Sequence, residues 1–362
     1  MTEYTEPLAE PLPTNRGVQR HNNTEWLSSC IDWCQITVKE KISVERVIEE
    51  ILRIPLPLMF GNVPIKGFSG HQVIAGFGNI KLAVPTGKMQ YEGYQILISG
   101  SGCRDYEYFL KANHETWIDF FQRVQQYDVN FPRIDLAIDD RKPYLNISSL
   151  ITLCNDNLVS SRFRTTSSYG SRTHTETESL SNGDTLYFGS SSSNIRIVFY
   201  EKGYEQAVKF GTDINTNWNR YELRFRDESA KEVIKTLCTH SDIAKIACGI
   251  LKDKIRFLEK PDSQNLNRKR LYPTYQPWAE FLQDIQNVKL CMKPNSLDEY
   301  LQKNRDWLIK NVAPSIKMQM QWDKMTNREN GILEEISHAR LNEKQRLALE
   351  TFEKHQELKK YL

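Results

Sequence analysis

The chain has 362 residues and a formal net charge of +2, with 39% hydrophobic and 26% charged residues. This length allows two or three domains with a substantial core. Because the charge is close to balanced, any surface that binds nucleic acid must be local. No run approaches the roughly 18 uninterrupted apolar residues of a membrane span, so no membrane partner is expected. The seven cysteines are scattered and odd in number, which favours free thiols in a cytoplasmic protein over a disulfide framework.

The N-terminal part is predicted to begin with a disordered arm and to continue as strands and helices. Residues 1–23 are polar and contain three prolines, which indicates disorder. A strand is predicted over residues 30–38, and a helix that opens on a serine N-cap is predicted over residues 43–54. Short strands separated by glycines follow as far as Gly102. The helical spacing of aromatic residues then predicts a helix over residues 114–127.

The middle of the sequence repeats the order of strand, helix and strands. A strand over residues 133–140 precedes a helix around residues 147–156. The serine- and threonine-rich run over residues 160–181 is interpreted as a long hairpin excursion. Two further strands are predicted to form a hairpin across residues 190–194, and a last strand leads into a helix over residues 228–241.

This order predicts an α+β fold. Residues 24–260 form one domain made of two antiparallel-sheet halves with packed helices. Residues 261–290 include a Pro- and Asn-rich stretch, which predicts a linker followed by a closing helix. Residues 291–362 predict a helical C-terminal region, and its last helix makes a second copy of the chain a candidate partner.

Three of the predicted strands place polar side chains on one face. Side chains alternate between the two faces of a strand, so every second residue shares a face. In residues 194–202 the face opposite the apolar residues carries Arg196, Val198, Tyr200 and Lys202. The same alternation in the other two strands gives the polar positions Asp135, Asp139, Arg220, Glu222, Arg224 and Arg226. Acidic, basic and phenolic groups are therefore predicted to share one sheet face.

These groups suit a site that cuts phosphodiesters. A tyrosine hydroxyl can attack phosphorus, carboxylates can hold a divalent cation, and guanidinium groups can neutralise a phosphate. The alternative is that the strands are half-exposed and that these side chains form ordinary solvated faces. Aspartate is disfavoured in strands, however, so two aspartates on one face of one strand favour a functional site.

Five segments, taken in order, resemble the replication initiation factor family, which comprises rolling-circle plasmid initiators and related relaxases of conjugative elements. They lie within residues 24–285 and read SCIDWCQITV, ISGSGCRDYE, RIDLAIDD, TLYFGSSSSNIRIVFYEK and NRYELRFRDESA. The resemblance implies a tandem RRM-like catalytic domain with Tyr200 as the nucleophile. Val198 and Phe199 stand where the family has one residue fewer, and a bulge there would make Tyr204 a competing nucleophile.

The implied reaction nicks one strand at an origin and leaves a 5′-phosphotyrosine and a free 3′-hydroxyl. A phenol with a pKa of about 10 needs help to ionise, and Lys202, Arg196 or a metal could supply it. Asp135 and Asp139 are four residues apart, about 13 Å at roughly 3.3 Å per residue, so both cannot bind one ion directly. One of them with Glu222 is the expected ligand set, and oxygen ligands favour Mg²⁺ or Mn²⁺.

DNA contacts are expected from two groups of basic residues. Strand arginines would grip the phosphate backbone, and a basic cluster near the linker would add a second contact; they are Arg220, Arg224, Arg226, Arg268, Lys269 and Arg270. The expected partners are double-stranded origin DNA, the nicked single strand and a helicase. Two rival functions stay open: a sequence-specific DNA-binding protein that does not cleave, and a metal-dependent nuclease that uses water in place of the tyrosine.

Overall fold

The structure is a computed structural model, and it describes residues 27–60, 70–86, 93–141, 143–174, 179–210, 214–215, 217–260, 268–283 and 290, with parts of 301–349. The chain divides into two compact units, Met1–Met292 and Lys293–Leu362. The predicted N-terminal arm and much of the predicted linker lie outside the described residues. Within the described ranges, no helix has the length and apolar character needed to cross a membrane.

The first part of the larger unit alternates strands and helices. Its elements are β1 (Leu27–Val38), α1 (Val44–Arg46) with a π-helical turn (Val47–Leu52), α2 (Leu56–Phe60), β2 (His71–Phe77), β3 (Ile80–Pro85), β4 (Tyr94–Ser99), α3 (Ser101–Ala112), α4 (Trp117–Val124) and β5 (Val129–Asp140). A capping box of Thr116 and Asp119 opens α4. The sequence pattern does not predict α3, because the glycines around its start are typical of a turn.

The second part of this unit carries the predicted hairpins. Its elements are α5 (Ile147–Asn155), β6 (Val159–Ser161), β7 (Thr166–His174), β8 (Ser179–Phe188), β9 (Ile195–Tyr200), α6 (Lys202–Phe210), β10 (Asn219–Arg226), α7 (Asp227–His240), α8 (Ile243–Lys254), β11 (Ile255–Phe257), a 3₁₀ turn (Lys269–Leu271) and α9 (Gln276–Leu282). Strand β7, which lies in the serine- and threonine-rich run, pairs with β8, which begins within the last residues of that run, and this pairing confirms the predicted hairpin.

Nine strands form one sheet in the order β2-β3-β4-β1-β5-β10-β9-β8-β7. All neighbouring strands are antiparallel. The central strand β5 pairs with β1 on one side and with β10 on the other, so the two predicted halves join into a single sheet. The predicted α+β fold is therefore confirmed. Strands β6 and β11 form a separate two-stranded sheet.

The hydrophobic core lies on one face of the large sheet. Apolar residues at alternate positions of β5, β9 and β10 are buried there, namely Ile134, Leu136, Ile138, Ile195, Ile197, Phe199, Tyr221, Leu223 and Phe225. Helices α7 and α8 add Val233, Leu237 and Ile246 to the same core. Burial of each large apolar side chain contributes about 1.5–3 kcal/mol, so this face determines which way each strand is turned. The polar side chains of the same strands must then lie on the opposite face.

The smaller unit is helical where it is described. A π-helical turn (Leu308–Val312) leads into α10 (Ala313–Thr326), and α11 (Ile332–Ser337) follows. The carboxylate of Asp323 accepts a hydrogen bond of 2.8 Å from the backbone nitrogen of Ile332, which joins the two helices. The predicted helical character of the C-terminal region is confirmed over these residues.

Candidate active site

Tyr200 lies on the polar face of the sheet, at the end of β9. In the pairing of β9 with β10, Tyr200 lies opposite Arg220, Val198 opposite Glu222 and Arg196 opposite Arg224. This ladder has no register shift, and neither does the pairing of β9 with β8. The bulge that would have favoured Tyr204 is therefore absent from both described pairings. Tyr204 lies on α6, where its side chain packs against Gly183.

The hydroxyl of Tyr200 donates a hydrogen bond of 2.7 Å to Oε1 of Glu222. The tyrosine is only 9% exposed and Glu222 is 4% exposed, so this bond lies in a region of low dielectric. Burial raises the pKa of Tyr200 well above its ordinary value, the charge of Glu222 raises it further, and Arg220 opposes the increase. The tyrosine is therefore protonated, and the group in place to accept its proton is Glu222.

The second carboxylate oxygen of Glu222 is held by Arg224. Arg224 donates from Nη2 at 2.6 Å and from Nε at 2.9 Å to Oε2 of Glu222. A nitrogen of the same guanidinium lies 3.9 Å from Asp135. Arg133 in turn forms two hydrogen bonds with Asp135, at 2.9 and 2.6 Å. A chain of alternating charges thus runs across three strands from the tyrosine to Arg133.

Arg220, opposite Tyr200, is held by two carboxylates. It donates two hydrogen bonds of 2.8 Å to Asp139 and one of 2.8 Å to Asp32. The indole nitrogen of Trp218 also donates to Asp139, at 2.7 Å. Burial by itself would raise the pKa of Asp139, but Arg220, Trp218 and Arg141 together outweigh burial and the pKa is lowered. Arg220 is 9% exposed, so its predicted role as an exposed phosphate contact is not the one that this geometry favours.

The sequence analysis places two cations next to the nucleophile, and the structure places one of them near Tyr200 on a helix and the other farther along the strand. Lys202 does not continue the strand but begins α6, where it forms a 2.6 Å ion pair with Glu205. Its amino group still lies 5.5 Å from the ring centre of Tyr200. Arg196 is four residues from Tyr200 on the same strand, about 13 Å at roughly 3.3 Å per residue. The strand cation beside the tyrosine is therefore Arg220.

The three predicted metal ligands are each bonded to donors of the chain. Asp135 is paired with Arg133, Asp139 with Arg220, and Glu222 with both Tyr200 and Arg224. Across the described ranges, no three His, Cys, Asp or Glu side chains are grouped so that they could hold a metal ion. The carboxylates as they are paired do not fit a divalent cation.

The basic residues predicted to bind DNA fall into two places. Arg226 follows Arg224 on the polar face of β10 and donates to the backbone carbonyl of Ser191. Residues 268–270 lie instead beside the two-stranded sheet, where Lys269 donates to Val159 O at 3.1 Å. Arg268 and Arg270 are exposed there. The basic cluster is thus attached to β6, not to the strand that carries the tyrosine.

Among the described residues, the contributors to this polar face that are absent from the sequence-based site include Asp32, Arg133, Tyr187 and Trp218. Trp218 stands directly before the segment NRYELRFRDESA, and Arg133 is the first residue of RIDLAIDD, two residues before Asp135 and so on the same face. Asp32 lies at a register shift in the pairing of β1 with β5, between Ile31 and Trp33. Simple alternation cannot assign a face to a residue at such a shift.

Comparison with known proteins agrees with this fold and this order of motifs. A model of the family Replication initiation factor matches residues 129–336, and a model of the Rolling Circle replication initiation protein N-terminal domain matches residues 28–123. The putative DNA relaxase NicK of Bacillus subtilis (strain 168) is 33% identical over 352 residues, which cover 95% of this chain and 97% of that protein.

A solved structure is also similar. The rolling circle replication initiator protein from Geobacillus stearothermophilus has a TM-score of 0.60 and 29% sequence identity. The match covers 74% of this chain and 100% of that chain. The family match spans more than half of the sequence, and the relative from Bacillus subtilis matches it over nearly its whole length. The chain belongs to the replication initiation factor family.

Proposed function

We propose that this protein nicks one strand of an origin by attack of Tyr200 on a phosphodiester, and so starts rolling-circle replication or conjugative transfer. The observation that carries the proposal is the 2.7 Å hydrogen bond from Tyr200 to the buried carboxylate of Glu222. It lies on the polar face of the sheet, beside Arg220 and Arg224. Membership of a family of replication initiation factors, and likeness to a putative DNA relaxase, support the same chemistry.

In the proposed step, Glu222 accepts the phenolic proton while the oxygen of Tyr200 bonds to phosphorus. The bond from phosphorus to the 3′-oxygen breaks, and that oxygen takes a proton from solvent to become a free hydroxyl. The 5′-phosphate stays on the tyrosine as an ester, so a later attack by a 3′-hydroxyl can rejoin the strand without another energy source. A carboxylate base is needed, because burial raises the pKa of Tyr200 far above neutral pH.

The neighbouring arginines have a separate part in this step. Negative charge builds on the non-bridging oxygens of the phosphate as the tyrosine attacks. Arg224 is partly accessible, with 28% of its side chain exposed, and can donate to such an oxygen while it also holds Glu222. Arg220 is enclosed by its two carboxylates and instead orders the strand pairing that presents Tyr200.

Mg²⁺ or Mn²⁺ is the cofactor that the sequence favours. We include it as a proposed cofactor, but no step of the reaction described above uses it. For Asp135, Asp139 or Glu222 to bind a metal, the carboxylate would have to exchange a present partner for it. Nicking should therefore be measured over a titration of each cation and in excess chelator. Full activity in chelator would remove the metal from the reaction, and a strict requirement would show that a metal takes part in it.

The substrate proposed is double-stranded origin DNA, and the nicked single strand is the product that stays bound. A helicase and a second copy of the chain are proposed partners on the sequence alone. The cytoplasm is the proposed compartment, in keeping with cysteines that are free thiols wherever they are described.

The decisive experiment is incubation of the protein with supercoiled origin DNA, followed by denaturing electrophoresis for a covalent adduct. Tyr200→Phe should abolish the adduct and keep the fold and DNA binding, while Tyr204→Phe, the matched control, should keep the adduct. Loss only in Tyr204→Phe would make that residue the nucleophile. Cleavage without an adduct would favour the nuclease that uses water, and binding without cleavage would favour the non-cleaving protein.

A further inference from the structure

Three arginines lie together on the polar face, at the end of the paired strands away from Tyr200. Arg196 and Arg224 are opposite each other on β9 and β10, and Arg226 follows on β10. We call Arg196 and Arg226 the distal arginines. Arg224 is neutralised by Glu222, whereas Arg226 is bonded to a neutral backbone carbonyl. Within the part of the chain that the structure describes, Arg196 has no ion pair.

Arg196 is held in place by an aromatic ring, but one of its hydrogen-bond donors has no partner among the described residues. Its guanidinium carbon lies 4.2 Å from the ring centre of Tyr187, so the cation stacks on an aromatic face. Its Nε is buried and, among the described residues, has no hydrogen-bond partner. Burial lowers the pKa of Arg196, and the charges of Arg224 and Arg226 lower it further. Because Arg226 is bonded to a neutral carbonyl, its positive charge repels that of Arg196, and an anion bound at the accessible side of the two guanidinium groups would relieve this repulsion.

Neutral donors border the same place. The turn between β8 and β9 includes Ser190 and Ser193, whose hydroxyl oxygens are 3.0 Å apart. The backbone nitrogen of Ser190 also bonds to the hydroxyl of Ser193, at 3.0 Å, which fixes the shape of the turn. Ser191, whose carbonyl accepts from Arg226, belongs to this turn. A stacked guanidinium without an ion pair among the described residues, a second guanidinium and serine hydroxyls together suit a phosphate.

We propose that the distal arginines bind a second phosphate of the strand whose other phosphate Tyr200 attacks. This inference rests on the proposed function. Arg196 is about 13 Å from Tyr200 along the strand at roughly 3.3 Å per residue. A stacked strand advances about 3.4 Å per nucleotide, so the second phosphate lies within about four nucleotides of the nick. Arg196 is then a residue that positions the DNA, and not the activator of the nucleophile.

The test is a scan with oligonucleotides that each carry one neutral methylphosphonate, at the four phosphates on either side of the nick. Affinity is measured for the wild-type protein and for Arg196→Gln, Arg226→Gln and Arg196→Lys. Wild type should lose about tenfold at one flanking position, as expected for a charge-assisted hydrogen bond. Arg196→Gln should bind more weakly overall and should no longer respond to that position. Arg196→Lys should recover part of the affinity, since it keeps the charge but loses the planar fork.

Arg46→Gln is the matched control, because Arg46 is an exposed arginine on α1 that is paired with Glu50 of the π-helical turn. It should bind and respond like wild type. Thermal melts check that each variant is folded. If Arg196→Gln does not fold, the comparison with wild type is made with Arg226→Gln. If both distal variants keep the wild-type profile, the distal arginines contact no phosphate and the inference fails. An adduct of the wild-type protein with supercoiled DNA, measured separately, shows whether the proposed function itself holds.

Discussion

The hydrogen bond between Tyr200 and Glu222 joins two residues to which the sequence analysis assigned unrelated tasks. There the tyrosine is a nucleophile and the glutamate is a metal ligand. In the structure the glutamate accepts the tyrosine proton and is itself held by Arg224. A buried phenol with a raised pKa is unreactive unless a base removes its proton in the transition state. The placement of Glu222 therefore bears on the rate of attack, not only on the binding of a cation.

Glu222→Gln should slow adduct formation by about 10²–10⁴-fold, the usual contribution of a general base, with little change in DNA affinity. The amide cannot take the proton, although it can still bond to Tyr200. Single-turnover adduct formation over a range of pH measures this. Glu49→Gln is the control, because Glu49 is an exposed glutamate on the π-helical turn and not on the strands that carry the site. Recovery of the Glu222→Gln rate by Mn²⁺ would instead mark Glu222 as a metal ligand.

Asp135 should make folding stability depend on pH. Burial raises its pKa from 3.8 to about 6 in spite of the ion pair with Arg133. Between these two pKa values the folded state binds more protons than the unfolded state. The contribution of Asp135 to the free energy of unfolding is therefore complete below about pH 4 and is lost as the pH rises through about 6. The loss is on the order of 1–3 kcal/mol, at 1.36 kcal/mol per pKa unit. Asp135→Asn should remove this part of the slope.

Urea unfolding of wild type and Asp135→Asn at pH 4, 5, 6 and 7 measures that slope. The comparison is between slopes and not between absolute stabilities, because the substitution also removes the partner of Arg133. Parallel curves for the two proteins would mean that Asp135 titrates at its ordinary pKa.

The strand β4 depends on a glycine at its entrance. Gly93 has a φ of +101°, and a Cβ added there would overlap the carbonyl oxygen of Val38, the last residue of β1. Gly100, after β4, has a φ of +54° and open space where its Cβ would lie. Alanine at Gly100 would therefore meet only an unfavourable backbone conformation, whereas alanine at Gly93 would meet both that and a steric clash.

Gly93→Ala should lower the free energy of unfolding by about 2–5 kcal/mol, and Gly100→Ala by about 1–2 kcal/mol. The first change strains the backbone and also pushes β4 away from β1, while the second only forces alanine into the left-handed region. Chemical denaturation of both variants measures the difference. Equal losses would show that the β1–β4 pairing accommodates the extra methyl group by shifting.

Elements with regular alternation were predictable, and their ends were not. The polar and apolar positions of β5, β9 and β10 follow their sequence, because one face packs against the core. Lys202 illustrates the limit, since the strand pattern places it on the face of Tyr200 while the chain turns into α6 at that residue. Asp32 is a second case, because the register shift in β1 is not visible in the pattern of residue types.

The two units of the chain suggest that the nicking reaction and the recognition of origin sequence are carried out by different units. Tyr200 and Glu222, with the arginines around them, all lie in the unit Met1–Met292. The smaller unit exposes large apolar side chains on α10, among them Met318 and Trp322. Deletion of residues 293–362 should therefore reduce the preference for origin over random DNA more than it reduces the rate of nicking at saturating DNA.

Competition binding with both DNAs, together with single-turnover nicking, distinguishes the two effects of this deletion. A truncated protein that keeps its origin preference would place sequence recognition in the larger unit. A folded truncated protein that cannot nick would show that the smaller unit contributes to the active site.

The sequence by itself determined the α+β class, the polar sheet face and the family, because each depends on patterns along short segments. Alternation in single strands was enough to place a tyrosine, carboxylates and arginines together. Which of these groups touch was decided only by the tertiary structure. Tyr200 and Glu222 are 22 residues apart, and Arg220 and Asp32 are 188 apart, so their meeting depends on the strand order and register of the whole sheet. The same register places Arg196 away from the nucleophile and Arg220 beside it.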